Sequence, residues 1–561
     1  MKAIALSVSL MLASLSFVGC HADPDDPAGQ AKELANPVRR QNAIGNLTRL
    51  YTSALAAHNG NRQDPAVKGI ADAIIDSLIK TYTDFPEDNR TRRDILSLMR
   101  EMRDVRSLPV LVKALEWRAE INEDQAIAAA QTLKNLTLDP AQTTQVVTAL
   151  GVALDKVEGR RPTDAQMRTE FMSALGATKS HAAVAPLMRL ALRLNEDQDF
   201  AFNVRAFQVL APLTTAEDIP NLIKGLFLFA PGRPQFRVND SAQIGLVGVG
   251  PAALQPLLDV LAGRNADANA MAASYIEAMR TAAPAYVETH TAALVVAEEA
   301  TTVLGELGLS QAIQPLVSRL QTLTGEDHSG ERLSIARALA RIHRSPADTA
   351  TVREAIISVY RASQKVERPF IVATLQHTFD ADALPFLLEV ARTPEDEVPV
   401  VRGLALHGYA LLANGSEAAA ARALIANEPG PADGGFHTEF EADNAPLLVA
   451  AGQCNVDIAC WVGKLSDSNR EVALKATYML ARLGRGNAAA LNGLIAKIDF
   501  PNADVRVDVM AAIDFLADRG SPEAVARIET LQQTEDGRSI WNAVKPTALA
   551  TAARLRARSA H

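Results

Sequence analysis

Apolar residues along this chain fall into short stripes of helical period, one after another, with small polar turns between them. Asn203–Phe227 shows the unit most plainly. Ile219, Leu222, Ile223, Leu226 and Phe227 recur at i, i+3, i+4, i+7 and i+8, which is one face of a 3.6-residue helix. Val204, Phe207, Leu210 and Ala211 draw a similar stripe just before it. Leu213 to Ala216 is left for a turn, with Thr214 or Thr215 placed to cap the second helix and Glu217 and Asp218 favouring its positive end. The predicted unit is a helical hairpin, and its stripes are buried only if copies stack.

Copies recur. Pro220 opens the second helix of this unit, where a missing backbone N–H costs least, and matching prolines open SLPVLVKAL (Pro109), AVAPLMRLAL (Pro186), ALQPLLDVL (Pro256), AIQPLVSRL (Pro315) and ALPFLLEVA (Pro385). Pro186, Pro220 and Pro256 are separated by 34 and 36 residues, a period that indicates a solenoid. A Val-Arg pair opens several first helices (Val204-Arg205, Val401-Arg402, Val505-Arg506), and Gly520–Leu531 is a late proline copy. In these features the chain resembles the HEAT-repeat family, more narrowly its short phycobilisome-lyase-type bacterial form. The resemblance implies an all-α fold, a right-handed α-solenoid of stacked antiparallel helix pairs. It also implies a scaffold that binds a protein or peptide rather than an enzyme.

Along the chain, 38–104 reads as an N-terminal helical cap, 105–426 as HEAT-like repeats, 427–446 as a loop insertion, and 447–561 as further repeats with a closing helix. Of 561 residues, 48% are hydrophobic but only 5% aromatic, as suits many small helix–helix contacts. The net charge of −9 argues against nucleic acid as the main ligand.

Residues 1–19 read as an export signal: Lys2, then a nearly continuous apolar run from Ala3 to Val18, too brief for a comfortable membrane span. Gly19-Cys20 resembles the lipobox of bacterial lipoproteins, with Phe17 where that motif usually has leucine. The resemblance implies lipid on Cys20, a tether over 20–37, and membrane attachment through that lipid only. His21, in place of an aspartate after the cysteine, points to the outer membrane if the host has two membranes. No later segment reads as long and apolar enough to span a bilayer. An oxidising compartment would pair Cys454 with Cys460. On one straight helix, six residues put two thiols on opposite sides and about 9 Å apart along the axis. A bridge therefore predicts a break at Asn455–Asp457.

Three interruptions suggest sites. In 227–240, Phe229, Arg233 and Phe236 offer an aromatic and cationic edge, or simple packing onto the adjacent helix. GLVGVG (Gly245–Gly250) lacks the strand and the Lys-Ser/Thr of a nucleotide loop and reads as close packing before a turn. In the 427–446 loop, His437, Glu439, Glu441 and Asp443 alternate, so an extended segment would carry them on one side. That is the alternative function, an accessory metal or enzymatic site. No catalytic motif or cofactor signature is present, and scattered histidines such as His343, His377 and His407 read as surface or interface residues. On the scaffold reading, the partner is a protein or peptide of the envelope. It would dock on a concave face made by the second helices, with Lys224, Asp259, Arg319, Glu389 and Lys497 as candidate contacts.

Overall fold

Short polar side chains open many of the helices. Asp26, Asp64, Asp88 and Asp139, and later Asn265, Ser345, Asn469, Asn487 and Asn502, each accept a backbone N–H from the first turn they precede. They fill donors that a helix start leaves open. The computed structural model describes residues 22–194, 199–342, 345–393, 399–427 and 435–559, and the side chains of all these except 326, 399, 427 and 435–443. The signal segment, Cys20 and His343 lie outside the described residues. The chain divides into two units, Met1–Phe202 and Asn203–His561. That boundary falls inside the 105–426 run, where periodicity alone shows no break.

The first unit begins with α1 (Pro27–Glu33), α2 (Arg40–Ala57), α3 (Pro65–Asp84) and α4 (Asn89–Met102). It continues through α5 (Leu108–Ala114), α6 (Glu123–Leu133), α7 (Pro140–Asp155), α8 (Pro162–Ala177) and α9 (Val184–Leu192). α2, α4, α6 and α8 form one row, each packed on the next, with Leu47, Leu96, Met99, Ala130 and Phe171 fully buried between them. The tether reading of 20–37 is corrected by α1. Ala31 and Leu34 give it a short apolar edge, both are buried, and α1 packs on α2 and α3. Gln30 holds it there, donating to the Ala22 and Asp23 carbonyls and accepting from Asn46.

In the second unit, α10 (Ala201–Leu210) and α11 (Ile219–Leu226) are the hairpin of the sequence pattern. Next come α12 (Asn239–Val249), α13 (Leu254–Leu261), α14 (Ala266–Ala282), α15 (Pro284–Thr289), α16 (Ala292–Leu307) and α17 (Ile313–Thr322). They are followed by α18 (Ser329–Arg341), α19 (Pro346–Ala362), α20 (Arg368–Gln376), α21 (Leu384–Arg392), α22 (Pro399–Leu412) and α23 (Ala418–Asn427). The last are α24 (Gly435–Cys454), α25 (Ile458–Lys464), α26 (Arg470–Leu483), α27 (Ala488–Ile495), α28 (Ala503–Leu516), α29 (Pro522–Glu535) and α30 (Ser539–Ser559).

Both recurrent sequence features have a structural job. The proline helices each follow a 3₁₀ turn, as at Val105–Ser107, His181–Ala183, Ala216–Asp218, Ser310–Ala312 and Ala381–Ala383. The proline then stands second or third in the helix, where its absent N–H has no partner to lose. The first-helix arginines reach back to carbonyls left open by the preceding segment. Arg506 Nε donates to the Phe500 carbonyl at 3.0 Å and Arg402 Nε to that of Ala391 at 3.1 Å. Arg168 and Arg332 do the same without a preceding valine, toward Gly159 and Gly325. Arg205 instead lies near Gln208 on the surface.

One row of this unit runs α12, α16, α18, α20, α22, α26, α28, each packed on the next, with α24 also bridging α22 and α26. α30 then packs on α28 and also on α12 and α16, so the row closes on its own beginning. The all-α stack of helix pairs expected from the pattern is therefore what forms, and in this unit it is a closed circuit.

Four local expectations meet the structure here. First, residues 229–237 form an antiparallel hairpin, β1 (Phe229–Ala230) with β2 (Arg233–Arg237), inside an otherwise helical chain. Second, Asn239–Leu261 does qualify by length and composition to cross a membrane, which corrects the expectation that no later segment would. Gly250, at φ +76, breaks it into α12 and α13, and 44% of its most apolar window is buried inside the protein. Third, Gly245 is a close-approach position as expected, since a Cβ there would meet Leu222 at 2.8 Å. Fourth, the chain is helical from Gly435, so the one-sided extended arrangement in 427–446 is not adopted there. The side chains of His437, Glu439, Glu441 and Asp443 lie outside the described residues.

Candidate functional site

Closure of the second unit leaves a cavity of about 320 Å³ among its inner helices, α16, α18, α20, α28 and α30. Its volume is that of a small-ligand pocket. The proline helices, which the repeat pattern suggested would form the binding face, do not line it.

One wall is a charge lock. Arg554 on α30 is buried between Glu306 on α16 and Asp514 on α28. Its Nη1 donates to Glu306 Oε2 at 3.0 Å and to the Glu306 carbonyl at 2.5 Å, and its Nε to Asp514 Oδ2 at 3.0 Å. Thr551 Oγ1 accepts from Nη2 at 3.0 Å. Arg341 pairs with Glu306 at 2.8 Å, and Arg558 pairs with Asp514. Burial opposes the Arg554 cation, but Asp514 and Glu306 outweigh it and hold its pKa above the ordinary arginine value.

A second wall holds His377, which follows α20. Its Nδ1 lies 2.9 Å from the Tyr478 hydroxyl and 3.4 Å from Asp508 Oδ1. Burial, then the nearby Asp508 charge, pushes the Tyr478 phenol well above its usual value. His377 is thus held from two sides. His407 is fixed likewise, 3.1 Å from Asn444 and 3.9 Å from Glu471.

The third wall is apolar with a bare cation. Phe370 on α20 is 53% exposed, and Phe515 lies tilted against Phe379 at 5.3 Å between centroids. Arg337 on α18 lies 5.7 Å from the Phe370 ring centre. It makes no ion pair or hydrogen bond among the described residues. Burial and the neighbouring Arg341 cation lower its pKa.

The residues singled out by sequence lie elsewhere. Lys224 pairs with Asp267 at 3.0 Å, Asp259 with Arg264, and Arg319 with Glu331 at 2.7 Å. Glu389 is exposed and Lys497 half-buried. None of the five lines the cavity. In the hairpin, Phe229 packs edge-on against Tyr275 at 5.6 Å, while Phe236 is exposed with Arg233 over its ring at 5.3 Å. Arg237 is the anchor, donating to the Leu226 carbonyl at 2.6 Å and pairing with the buried Glu299 at 2.8 Å. Cys454 and Cys460 are bridged across a Cα separation of 5.3 Å, with the helix broken between α24 and α25 by Asn455 at φ 46. Arg337, Phe370 and Phe515 carry no signal in the repeat pattern. Each stands on the polar side of its own helix, and only closure turns those sides toward one another.

The chain is a helical-repeat protein. No protein-family model matches its sequence, and no curated protein matches it either. Among solved structures, an engineered protein is 17% identical over 94% of this chain and 98% of its own, with a TM-score of 0.26. A mutant of the karyopherin Kap121p is 12% identical over 99% and 69%, with a TM-score of 0.31. The C. elegans myosin chaperone UNC-45, solved with an Hsp70 peptide, is 10% identical over 97% and 76%, with a TM-score of 0.21. At such scores no detail of site or shape carries over, and the fold assignment rests on the helix packing described above. Among the described residues, no group of three His, Cys, Asp or Glu is placed to hold a metal ion.

Proposed function

We propose that this protein is an exported, lipid-anchored helical-repeat scaffold that binds a protein or peptide segment in the cell envelope. The observation that carries the binding reading is the cavity of the second unit. It joins an exposed aromatic ring, a cation that has no counter-ion among the described residues and a histidine held from two sides. These are recognition groups held on packed helices. Export and anchoring are supported by the apolar run from Ala3 to Val18 ending in Gly19-Cys20, and by a cysteine pair set at bridging distance. In a host with two membranes, His21 after the cysteine favours the outer one.

Two measurements on cells making the full chain test this. Mass spectrometry of the membrane fraction should find a mature N-terminus at Cys20 carrying lipid, and Cys20→Ser should abolish it. A photo-crosslinker at Phe370 should capture one discrete envelope polypeptide in intact cells. Unprocessed chain starting at Met1 in the cytosol would overturn the address, and no discrete crosslink in intact cells would overturn the scaffold.

A further inference from the structure

The cavity has an uneven distribution of charge. Glu306 and Asp514 are occupied by Arg341, Arg554 and Arg558, and Asp508 by His377 and the Tyr478 hydroxyl. Arg337 is left over. The opposing charge that acts on it is Glu298, which lies beyond ion-pair distance, does not line the cavity, and is itself pushed toward its neutral form by burial. Arg337 is exposed and has no counter-ion among the described residues, and a bidentate carboxylate is the partner its fork geometry fits best. Beside it Phe370 exposes its ring to the same space, and the half-buried Phe515, with Arg485 over its ring at 5.1 Å, lines that space too. Apolar surface adjoining a lone cation matches a ligand with the complementary pair of features.

We infer that the cavity binds an apolar or aromatic group bearing a carboxylate, taken from the C-terminal residue of a peptide, with Arg337 on the carboxylate and Phe370 and Phe515 against the side chain. The volume of about 320 Å³ holds one or two terminal residues and no folded element. Arg337 reads the chain end, since an internal residue offers no carboxylate on its backbone. The inference rests on the peptide-binding reading above and names its chemistry.

Isothermal titration of the purified chain tests it with three probes: N-acetyl-Ala-Phe with a free carboxylate, its C-terminal amide, and 3-phenylpropionate. The free-acid peptide should bind saturably, the amide at least tenfold more weakly, and Arg337→Gln should weaken the acid at least tenfold while leaving the amide unchanged. The free aromatic acid should bind more weakly than the peptide; binding more tightly would show a free-acid site and overturn the peptide source. Equal affinity for acid and amide, or no effect of Arg337→Gln, would overturn the role of the arginine. No binding of any probe, with the Phe370 crosslink still formed in cells, would overturn this inference and leave the scaffold standing. Loss of both would remove the two together. Circular dichroism melts of Arg337→Gln should stay close to the parent's, because among the described residues the side chain makes no hydrogen bond or ion pair and only a 5.7 Å approach to the exposed Phe370 ring.

Discussion

Arg554→Met tests whether closure of the second unit depends on the charge lock. Methionine keeps much of the apolar stem and removes the guanidinium. The wild-type side chain is 9% exposed, and its two carboxylate partners, Asp514 and Glu306, are 5% and 13% exposed. Removing one member of a buried ion pair costs about 3–5 kcal/mol, because the partner's charge stays behind. Here each carboxylate keeps a second cation, Arg558 or Arg341, so the lower end, about 3 kcal/mol, applies. The lost bond to the Glu306 carbonyl keeps the figure from falling further. A chain of this length need not unfold in one step, so a single unfolding free energy is the wrong readout. Hydrogen exchange along α30 reads the local opening instead. A loss of about 3 kcal/mol is roughly a hundredfold drop in protection over Ser539–Ser559. Protection in α2, α4 and α6 should be unchanged. Arg556→Met, which removes a half-exposed pair with Glu529, is the control and should change little. If α30 in Arg554→Met loses less than about threefold in protection, or loses no more than the Arg556 control, the lock is not what closes the unit.

Three further outcomes follow from buried groups. Lys475 is fully buried on three carbonyls ending α22, Ala410, Leu411 and Ala413, and burial pushes its pKa down to about 7 against their pull. Between about pH 7 and 10.5 the unfolded chain then binds the proton that the folded one has lost, so stability rises with pH in that window. Lys475→Met should flatten that rise in urea midpoints measured from pH 7 to 10; an unchanged slope would refute it. Opening the Cys454–Cys460 bridge, which closes a loop with a sequence separation of 6, should cost about 2 kcal/mol. The cost should appear as a lower urea midpoint with reductant and be absent in the double serine variant. Gly225→Ala would put a Cβ 2.7 Å from the Phe207 ring and 2.8 Å from the Ala242 Cβ. It should cost about 1–3 kcal/mol by overpacking, and a melt equal to the parent's would refute that packing.

The sequence by itself determined the helix pairs. Stripes such as Ile219 to Phe227 need a partner surface, prolines such as Pro220 and Pro385 mark where second helices begin, and a cysteine pair six residues apart demands a break that Asn455 supplies. These are local facts, settled by periodicity and backbone chemistry within a few turns. It did not determine where the row of helices ends. Small rotations between neighbouring pairs, each set by side-chain packing, accumulate over the whole row, and no single window of sequence encodes their sum. Tertiary structure alone therefore brings Arg554 to Glu306, 248 residues away, and turns polar faces carrying Arg337, Phe370 and Phe515 toward one cavity. For the same reason the candidate contacts on the proline helices lie outside that cavity. Periodicity tells which face of a helix is buried against its neighbours, whereas curvature decides which remaining face looks inward.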